Sequence, residues 1–309
     1  MRKIIAIGES VLDIVFKDGQ PQRSMVGGRI ANAAAIAATA GVPCTMVSEC
    51  GADRVGDLVV DYLSRHGVDV SAIDRYTEGS TALSAIFDDG RTLVNYGIYP
   101  RDRFNVVWPR IDEDDIVIFG SLYAIDAPQR ERLFELVNHA VQRKAILVYL
   151  PGFQHGISYR ITHVMPAILE NLEISHLVIA HDRDLHDIFP GETATQAFNN
   201  HVDFYCNNYL HIHSGWDVTR FARHGVVQHV PAAGETTTNA LGWQAGFTAG
   251  VACSLIQQGV THDSIDTLGD DVWRSIIATA QLMASYCAAG DNCLTPMQAR
   301  QFAASETPD

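Results

Sequence analysis

The chain has 309 residues, 47% hydrophobic and 19% charged, a composition that supports a globular fold with a sizeable core. Thirty-six acidic residues against 22 basic ones give a formal net charge of -14, and no basic run occurs. A nucleic-acid partner, which needs clustered Lys and Arg, is therefore not expected, and no apolar stretch reaches the roughly 18 residues that cross a bilayer.

Lys3–Ile7 reads as a buried first strand, too soon broken by Gly8, Glu9 and Ser10 for a secretory leader. Asp13–Ser24 alternates apolar and polar residues, the pattern of an antiparallel ribbon. Ile30–Ala40 is an Ala-rich helix ended by Gly41 and Pro43. Thr45–Ser48 is a strand, and Asp57–His66 a helix stopped by Gly67. Thr81–Gly97 is a second alternating stretch, with Asp89-Gly90 as its hairpin turn. Strands at Ile116–Phe119, Ala145–Tyr149, Leu177–Ile179 and Tyr209–Ile212 then alternate with helices at Pro128–Gln142, around Ile168–Asn171, and at Gly242–Gln257. This order predicts a parallel sheet covered by helices on both faces. The two ribbons, about 13–24 and 81–99, are expected to form a separate small sheet, a lid or a dimer surface. No linker interrupts the chain, so 1–309 reads as one domain with a frayed tail. The cysteines, Cys44, Cys50, Cys206, Cys253, Cys287 and Cys293, form no C-x-x-C pair and sit in apolar surroundings, which points to a reducing, cytoplasmic compartment and no zinc site.

Three motifs stand in the first third. In "GESVLDIV", residues 8–15, Asp13 follows the end of the first strand, where ligands bind in parallel sheets; a plain turn Asp fits the same spot. In "VGGRIANAAAIAATAG", residues 26–41, Gly27-Gly28 permits close backbone approach, and Asn32 both donates and accepts, which suits a sugar diol. In "GADRVGDLVVDYLSRHGVD", residues 51–69, Gly51, Asp53 and Gly56 lead into a helix that Gly67-Val68-Asp69 closes.

In this order and spacing the motifs resemble the PfkB (ribokinase-like) carbohydrate kinase family, and Phe247–Gly250 fits its closing F-x-A-G. The resemblance implies a three-layer α/β/α sandwich with a mainly parallel central sheet, a small β-sheet lid, and transfer of the ATP γ-phosphoryl to a sugar or related alcohol. It implies sugar-hydroxyl contacts at Asp13, Gly28 and Asn32, and a hinge under the lid at Gly27 and Gly28. Arg29 is either a solvated loop residue or a further contact to an acidic or phosphorylated substrate. Lid strands pair face to face in some relatives, so a homodimer is expected.

The second half departs from the family pattern. Aligning on F-x-A-G sets Asn239–Gly246 over D-T-x-G-A-G-D-x, so the general-base position is Ala245, and Gly242, Trp243 and Gln244 form a degenerate anion hole. The D-P-N-x-R motif corresponds to "YLPGFQ", residues 149–154. The N-x-x-E motif linked to magnesium and phosphate corresponds to His181 and Asp184, and T-x-G-x-x-G to His213, Gly215 and Val218. These nucleotide-side positions are weak cofactor contacts, with ATP and Mg expected only if the protein is active. A positioned base contributes about 10²–10⁴-fold, and each lost oxyanion-type donor costs about 10²–10³-fold. Asp184 and Asp217 are the acids open to replacement chemistry, whereas Glu235, ten residues before Ala245, has no helical spacing to bring it back. His211 and His213 share a strand face, but no acid follows at metal-ligand spacing, so no metal is expected; "HDRDLHD", residues 181–187, reads as a solvated polar loop. Two readings remain: a sugar kinase by descent with impaired or lost catalysis, or a non-catalytic homologue, a pseudokinase that binds a sugar, nucleoside or partner subunit.

Overall fold

Ile4–Ile7 (β1) is apolar at every position and buried on both faces, the signature of a central parallel strand. The computed structural model describes all residues except 88–91, 96, 154–160, 224, 233–239, 291 and 305–309, with the backbone alone at 92–95, 226, 240–241 and 303–304. After β1 the chain forms the hairpin Val11–Lys17 (β2) and Gln20–Gly27 (β3), then the helix Arg29–Thr39 (α1). Cys44–Gly51 (β4), Arg54–Arg65 (α2) and Ile73–Tyr76 (β5) follow, with Leu83–Ile86 (β6) and Thr92–Asn95 (β7) next. The centre is Ile116–Gly120 (β8), Ala127–Gln142 (α3), Ile146–Leu150 (β9), Ile161–Glu173 (α4), Leu177–His181 (β10), Asp182–Ile188 (α5) and Ala194–Ala197 (α6). The chain closes with Asn208–Ile212 (β11), Val218–Ala222 (β12), Val226–Val230 (β13), Ala240–Gln257 (α7), Asp270–Ala289 (α8) and Pro296–Ala304 (α9).

A nine-stranded sheet runs β13-β12-β11-β10-β9-β8-β1-β4-β5. It is parallel from β5 to β11, and β12 and β13 add an antiparallel edge. Alternate residues of its strands point to opposite layers. Ile4, Ala6, Ile116 and Ile118 pack with residues of α1, α7 and α8, whereas Ile5, Ile7, Val117 and Phe119 pack with residues of α3 and α4. The fold is the expected three-layer α/β sandwich. The segments expected as ribbons supply a separate four-stranded sheet, β3-β2-β6-β7. Its β2–β3 turn carries Asp18 and Gly19 at positive φ, the conformation of a two-residue hairpin. The Asp89-Gly90 turn lies outside the described residues.

Local chemistry fixes the joints around the site. Asp53 caps α2 by accepting the Gly56 N–H (2.8 Å), and it also accepts from the Thr81 N–H (2.7 Å) and hydroxyl (2.9 Å), tying the helix start to the strand entering the small sheet. Helices α7 and α8 approach closely because α7 presents glycines: a Cβ on Gly250 would stand 2.6 Å from Ala280 Cα, and one on Gly246 would stand 2.8 Å from Ala284 Cα. The glycine of the closing F-T-A-G segment is thus required by helix packing.

Candidate functional site

The carboxyl ends of β1, β8, β9, β10 and β11 open on one side of the sheet, beneath the smaller sheet, and there the protein has a cleft of about 1090 Å³. Ligands bind at this edge of parallel sheets because strand ends and helix starts converge there. Glu9, Asp13, Asn32, Arg103, Asp184 and Gln244 come from distant parts of the chain to line it.

One wall is built from β2, the β3–α1 junction and the loop after β1. Gly27 and Gly28 make room for it. A Cβ on Gly27 would collide with the Asp13 carboxyl, and Gly28 has φ +100° with the Glu9 carbonyl oxygen where a Cβ would stand. Asn32, on the first turn of α1, is buried. Burial pushes the Asp13 carboxyl up to about 6, with Ser84 hydrogen bonding against the shift and Glu9 adding to it. Burial also raises Glu9, opposed by a Ser121 hydrogen bond and the nearby Arg29 charge. Glu9 Oε2 and Asn32 Oδ1 are buried and accept no hydrogen bond from the described residues. A ligand that satisfies this wall must bring donors, as hydroxyl groups do.

The folded pKa of Asp13 stands above the ordinary 3.8, so folding favours the protonated carboxyl relative to the unfolded chain. The stability this contributes is complete below that ordinary value and is lost as pH rises through about 6. Asp13→Asn, neutral at every pH, is expected to stabilise the protein near neutral pH by about 2–3 kcal/mol and to give no gain in acid. Urea unfolding midpoints at both pH values check it.

The opposite wall starts where β10 ends. The 181–187 segment is a helix start, a correction to the solvated loop expected from its charges. His181 caps α5, its Nδ1 accepting the Arg183 N–H (3.1 Å), while Asp184 Oδ2 accepts the His181 N–H (3.0 Å). Arg29 reaches across the cleft to Asp184. Its Nη1 donates to Oδ2 (3.0 Å) and its Nη2 to Oδ1 (2.8 Å). Side-chain exposures of 22% and 8% make this a largely buried ion pair. Burial works against the Arg29 charge, but Asp184 outweighs it and holds the guanidinium pKa above its ordinary value. Arg29 is therefore not a solvated loop residue.

Beyond it, α7 has begun by Ala240, so Gly242, Trp243 and Gln244 are already helical. Trp243, 3% exposed, lies between Trp216 (ring centroids 4.7 Å, 21°) and Phe247 (5.2 Å, 9°). Ala245 is buried in the apolar layer against α1 and α8. Gln244 lines the cleft. Gly215 sits in the turn before β12 with nothing within 4 Å of an added Cβ, so it marks no close approach. Asp217 accepts the Ala232 N–H (2.7 Å). Glu235, Thr236–Thr238 and Asn239 lie outside the described residues.

Two groupings escape sequence reasoning. Asp182 meets His211 and His213: His211 Nε2 stands 2.7 Å from Asp182 Oδ1, while the Ser214 N–H and hydroxyl each donate to Oδ2 at 2.7 Å. Burial opposes the Asp182 charge, but these hydrogen bonds hold its pKa down to about 2. Burial also keeps His211 neutral, pushed down to about 4 despite Asp182. Elsewhere in the cleft, Arg103 donates to Glu49 Oε1 (2.8 Å) and Asp126 Oδ2 (3.1 Å) and lies 3.6 Å over the Tyr99 ring. The available signal was Glu49, the one charged residue in the strand β4, since a buried acid demands a partner.

Residues 1–266 match the pfkB family carbohydrate kinase profile. The chain belongs to the pfkB family. A protein of Pyrococcus horikoshii described as an uncharacterized sugar kinase is 26% identical over 145 residues, which are 43% of this chain and 47% of that protein; the match thus spans about half the length of that relative. Among solved structures, fructokinase from Vibrio cholerae O395 with fructose, ADP and calcium ion aligns at TM-score 0.83 and 14% identity over 98% of both chains. Aminoimidazole riboside kinase from Salmonella enterica with aminoimidazole riboside and an ATP analog aligns at 0.82 and 15%, over 97% of this chain and 99% of that one. At these identities the likeness shows the fold.

In this pfkB-family chain the residues that resemble sugar contacts, Asp13, Gly28 and Asn32, share one wall with Gly27. The positions that resemble nucleotide contacts are occupied otherwise. Both oxygens of Asp184 are engaged by Arg29, so they offer a magnesium ion no free carboxylate. An indole and a methyl group fill the start of α7. Among the described residues no helix is long and apolar enough to cross a membrane.

Proposed function

We propose that this pfkB-family protein holds a hydroxyl-rich small molecule, a sugar or nucleoside, against Glu9, Asp13 and Asn32, and that its phosphoryl transfer from ATP is impaired or lost. The start of α7 carries the reading. Where the family places its proton acceptor, this chain has a buried methyl group, Ala245, and an indole stacked on both sides stands two residues before it. Phosphoryl transfer rests on positioning and electrostatic stabilisation, and neither group supplies a charge or a proton site. The Arg29–Asp184 pair adds to this, because a divalent cation would have to displace a guanidinium. The acceptor class is supported by the unpartnered acceptor atoms of the first wall and by the fructose and aminoimidazole riboside of the similar kinases. The same reading makes the protein cytoplasmic and homodimeric, paired through the smaller sheet.

Thermal unfolding with a panel of ketoses, aldoses and ribosides, and separately with Mg-ATP, tests both halves. A ligand at 100 times its Kd adds about 2.7 kcal/mol, so a binding sugar or nucleoside is expected to raise Tm, an effect that Asn32→Ala removes. Mg-ATP is expected to leave Tm unchanged, and no acceptor-dependent ADP release is expected. A panel without any shift sinks the acceptor assignment; ADP release that depends on an acceptor sinks the loss of transfer.

A further inference from the structure

We propose that Asp182, His211 and His213 form a site for a transition-metal ion of the Zn(II) class at the carboxyl ends of β10 and β11. One ligand atom from each of the three side chains falls within 4.8 Å of the others. An ion bound at about 2.0–2.2 Å by imidazole nitrogen and carboxylate oxygen needs such a spacing. Asp182 Oδ1 is the shared point, 2.7 Å from His211 Nε2 and 3.8 Å from His213 Nδ1. Oδ2 is turned away and held by the Ser214 N–H and hydroxyl, so Oδ1 faces the two imidazoles in a fixed carboxylate.

The groups behind the imidazoles complete the case. The Tyr209 hydroxyl sits 3.0 Å from His211 Nδ1, and Thr219 Oγ1 sits 2.8 Å from His213 Nε2. Each ring thus has an oxygen partner on the nitrogen that points away from Asp182. Such outer partners orient metal-binding histidines and fix their tautomer. In the tautomer that donates Nε2–H to Thr219, His213 turns its Nδ1 lone pair toward Asp182 Oδ1, and a cation between them would be held by both. Metal binding moves the His211 proton from Nε2 to Nδ1, where the Tyr209 hydroxyl turns to accept it, so no proton is lost from the ring. Two imidazoles and one carboxylate are a donor set for Zn(II), Co(II) or Ni(II). His211 is fully buried, whereas His213 and Asp182 are 34% and 40% exposed in their side chains, which leaves the outer coordination positions to solvent on the side where Asp182 and Ser214 border the cleft.

The test uses the full chain, stripped with a chelator, and metal alone, so it does not depend on the acceptor or on phosphoryl transfer. Titration with Co(II) is expected to give the visible d–d absorption of a low-symmetry N/O site, saturating at one ion per chain and displaced by Zn(II). His213→Ala, at a partly exposed position, is expected to weaken binding beyond the about 10–100-fold that loss of an outer partner costs. Tyr209→Phe is expected to weaken it by about 10-fold, a readout that a histidine serving the fold alone would not move. His163→Ala, an exposed histidine on α4, is the control that stays unchanged. Absence of saturable binding, or equal affinity in the parent chain and His213→Ala, overturns the proposal.

Discussion

Arg29→Ala is expected to lower the unfolding free energy by about 3–5 kcal/mol, the cost of removing one partner from a buried ion pair. The size follows from what remains. Asp184 is nearly buried, both of its oxygens are bonded to the guanidinium, and no other cation is bonded to it among the described residues. Removing Arg29 therefore leaves a carboxylate without its neutralising charge, and the site must hydrate or protonate it. A double substitution, Arg29→Met with Asp184→Leu, removes both charges and should recover most of the loss. It should not recover all of it, because Asp184 also accepts the His181 N–H at the start of α5, and losing a helix cap costs about 1 kcal/mol. Urea midpoints of the parent, Arg29→Met, Asp184→Leu and the double variant read the coupling directly. If Arg29→Ala unfolds no more easily than the parent, the pair is not closed in solution and Asp184 is open to a cation.

That pair also shows where reading the sequence stops. Arg29 and Asp184 stand 155 positions apart, and nothing local at either site signals the other. Asp184 carried a nucleotide-side role by resemblance, while Arg29 was placed between two sugar-side residues; only the closure of the sheet turns them toward each other. The same holds for Asp182 with His211, and for Glu49 with Arg103. The parallel core was legible because its strands are apolar on both faces: β1, β8 and β9 are buried at every position. The edge strands β12 and β13 were not. Arg220 and Gln228 break their apolar pattern, and both are buried only because α8 begins beside them: Arg220 donates to Asp270 Oδ1 (3.0 Å), and Gln228 donates to the Asp270 carbonyl (2.9 Å). Helix α8 itself was missed. Its buried residues Trp273, Ile276, Ile277, Ala280, Ala284 and Cys287 do recur at helical spacing; the close contact of Ala280 and Ala284 with the glycines of α7 is what only the structure shows. The wall of Asp13, Gly27, Gly28 and Asn32 was legible as a motif, but the reason for its two glycines, room for the Asp13 carboxyl and the Glu9 carbonyl, is visible only in three dimensions.

Trp243→Ala is expected to cost about 3–5 kcal/mol, the range for truncating a buried large aromatic. The indole is 3% exposed and stacked on two rings, Trp216 and Phe247. Trp216 is held at φ +69°, a conformation that costs a non-glycine residue, and the stack helps to keep it there. The consequence for function runs through Ala245. Ala245→Asp restores a carboxylate to the sequence position of the family base, but the residue it replaces is 1% exposed, packs in the apolar layer, and does not line the cleft as Gln244 does. A carboxylate there enters that apolar layer, so it is expected to take up a proton or to disrupt the packing, at a cost of several kcal/mol. Opening the space with Trp243→Ala in the same chain adds a cavity without adding the donors or the metal site that transfer requires. Neither Ala245→Asp nor the double variant is expected to release ADP in the presence of the acceptor panel, and both should unfold at lower urea than the parent. An Ala245→Asp protein that is as stable as the parent and turns over ATP with an acceptor would mean that this face of α7 is turned to the cleft and that a single methyl group had silenced an otherwise complete site.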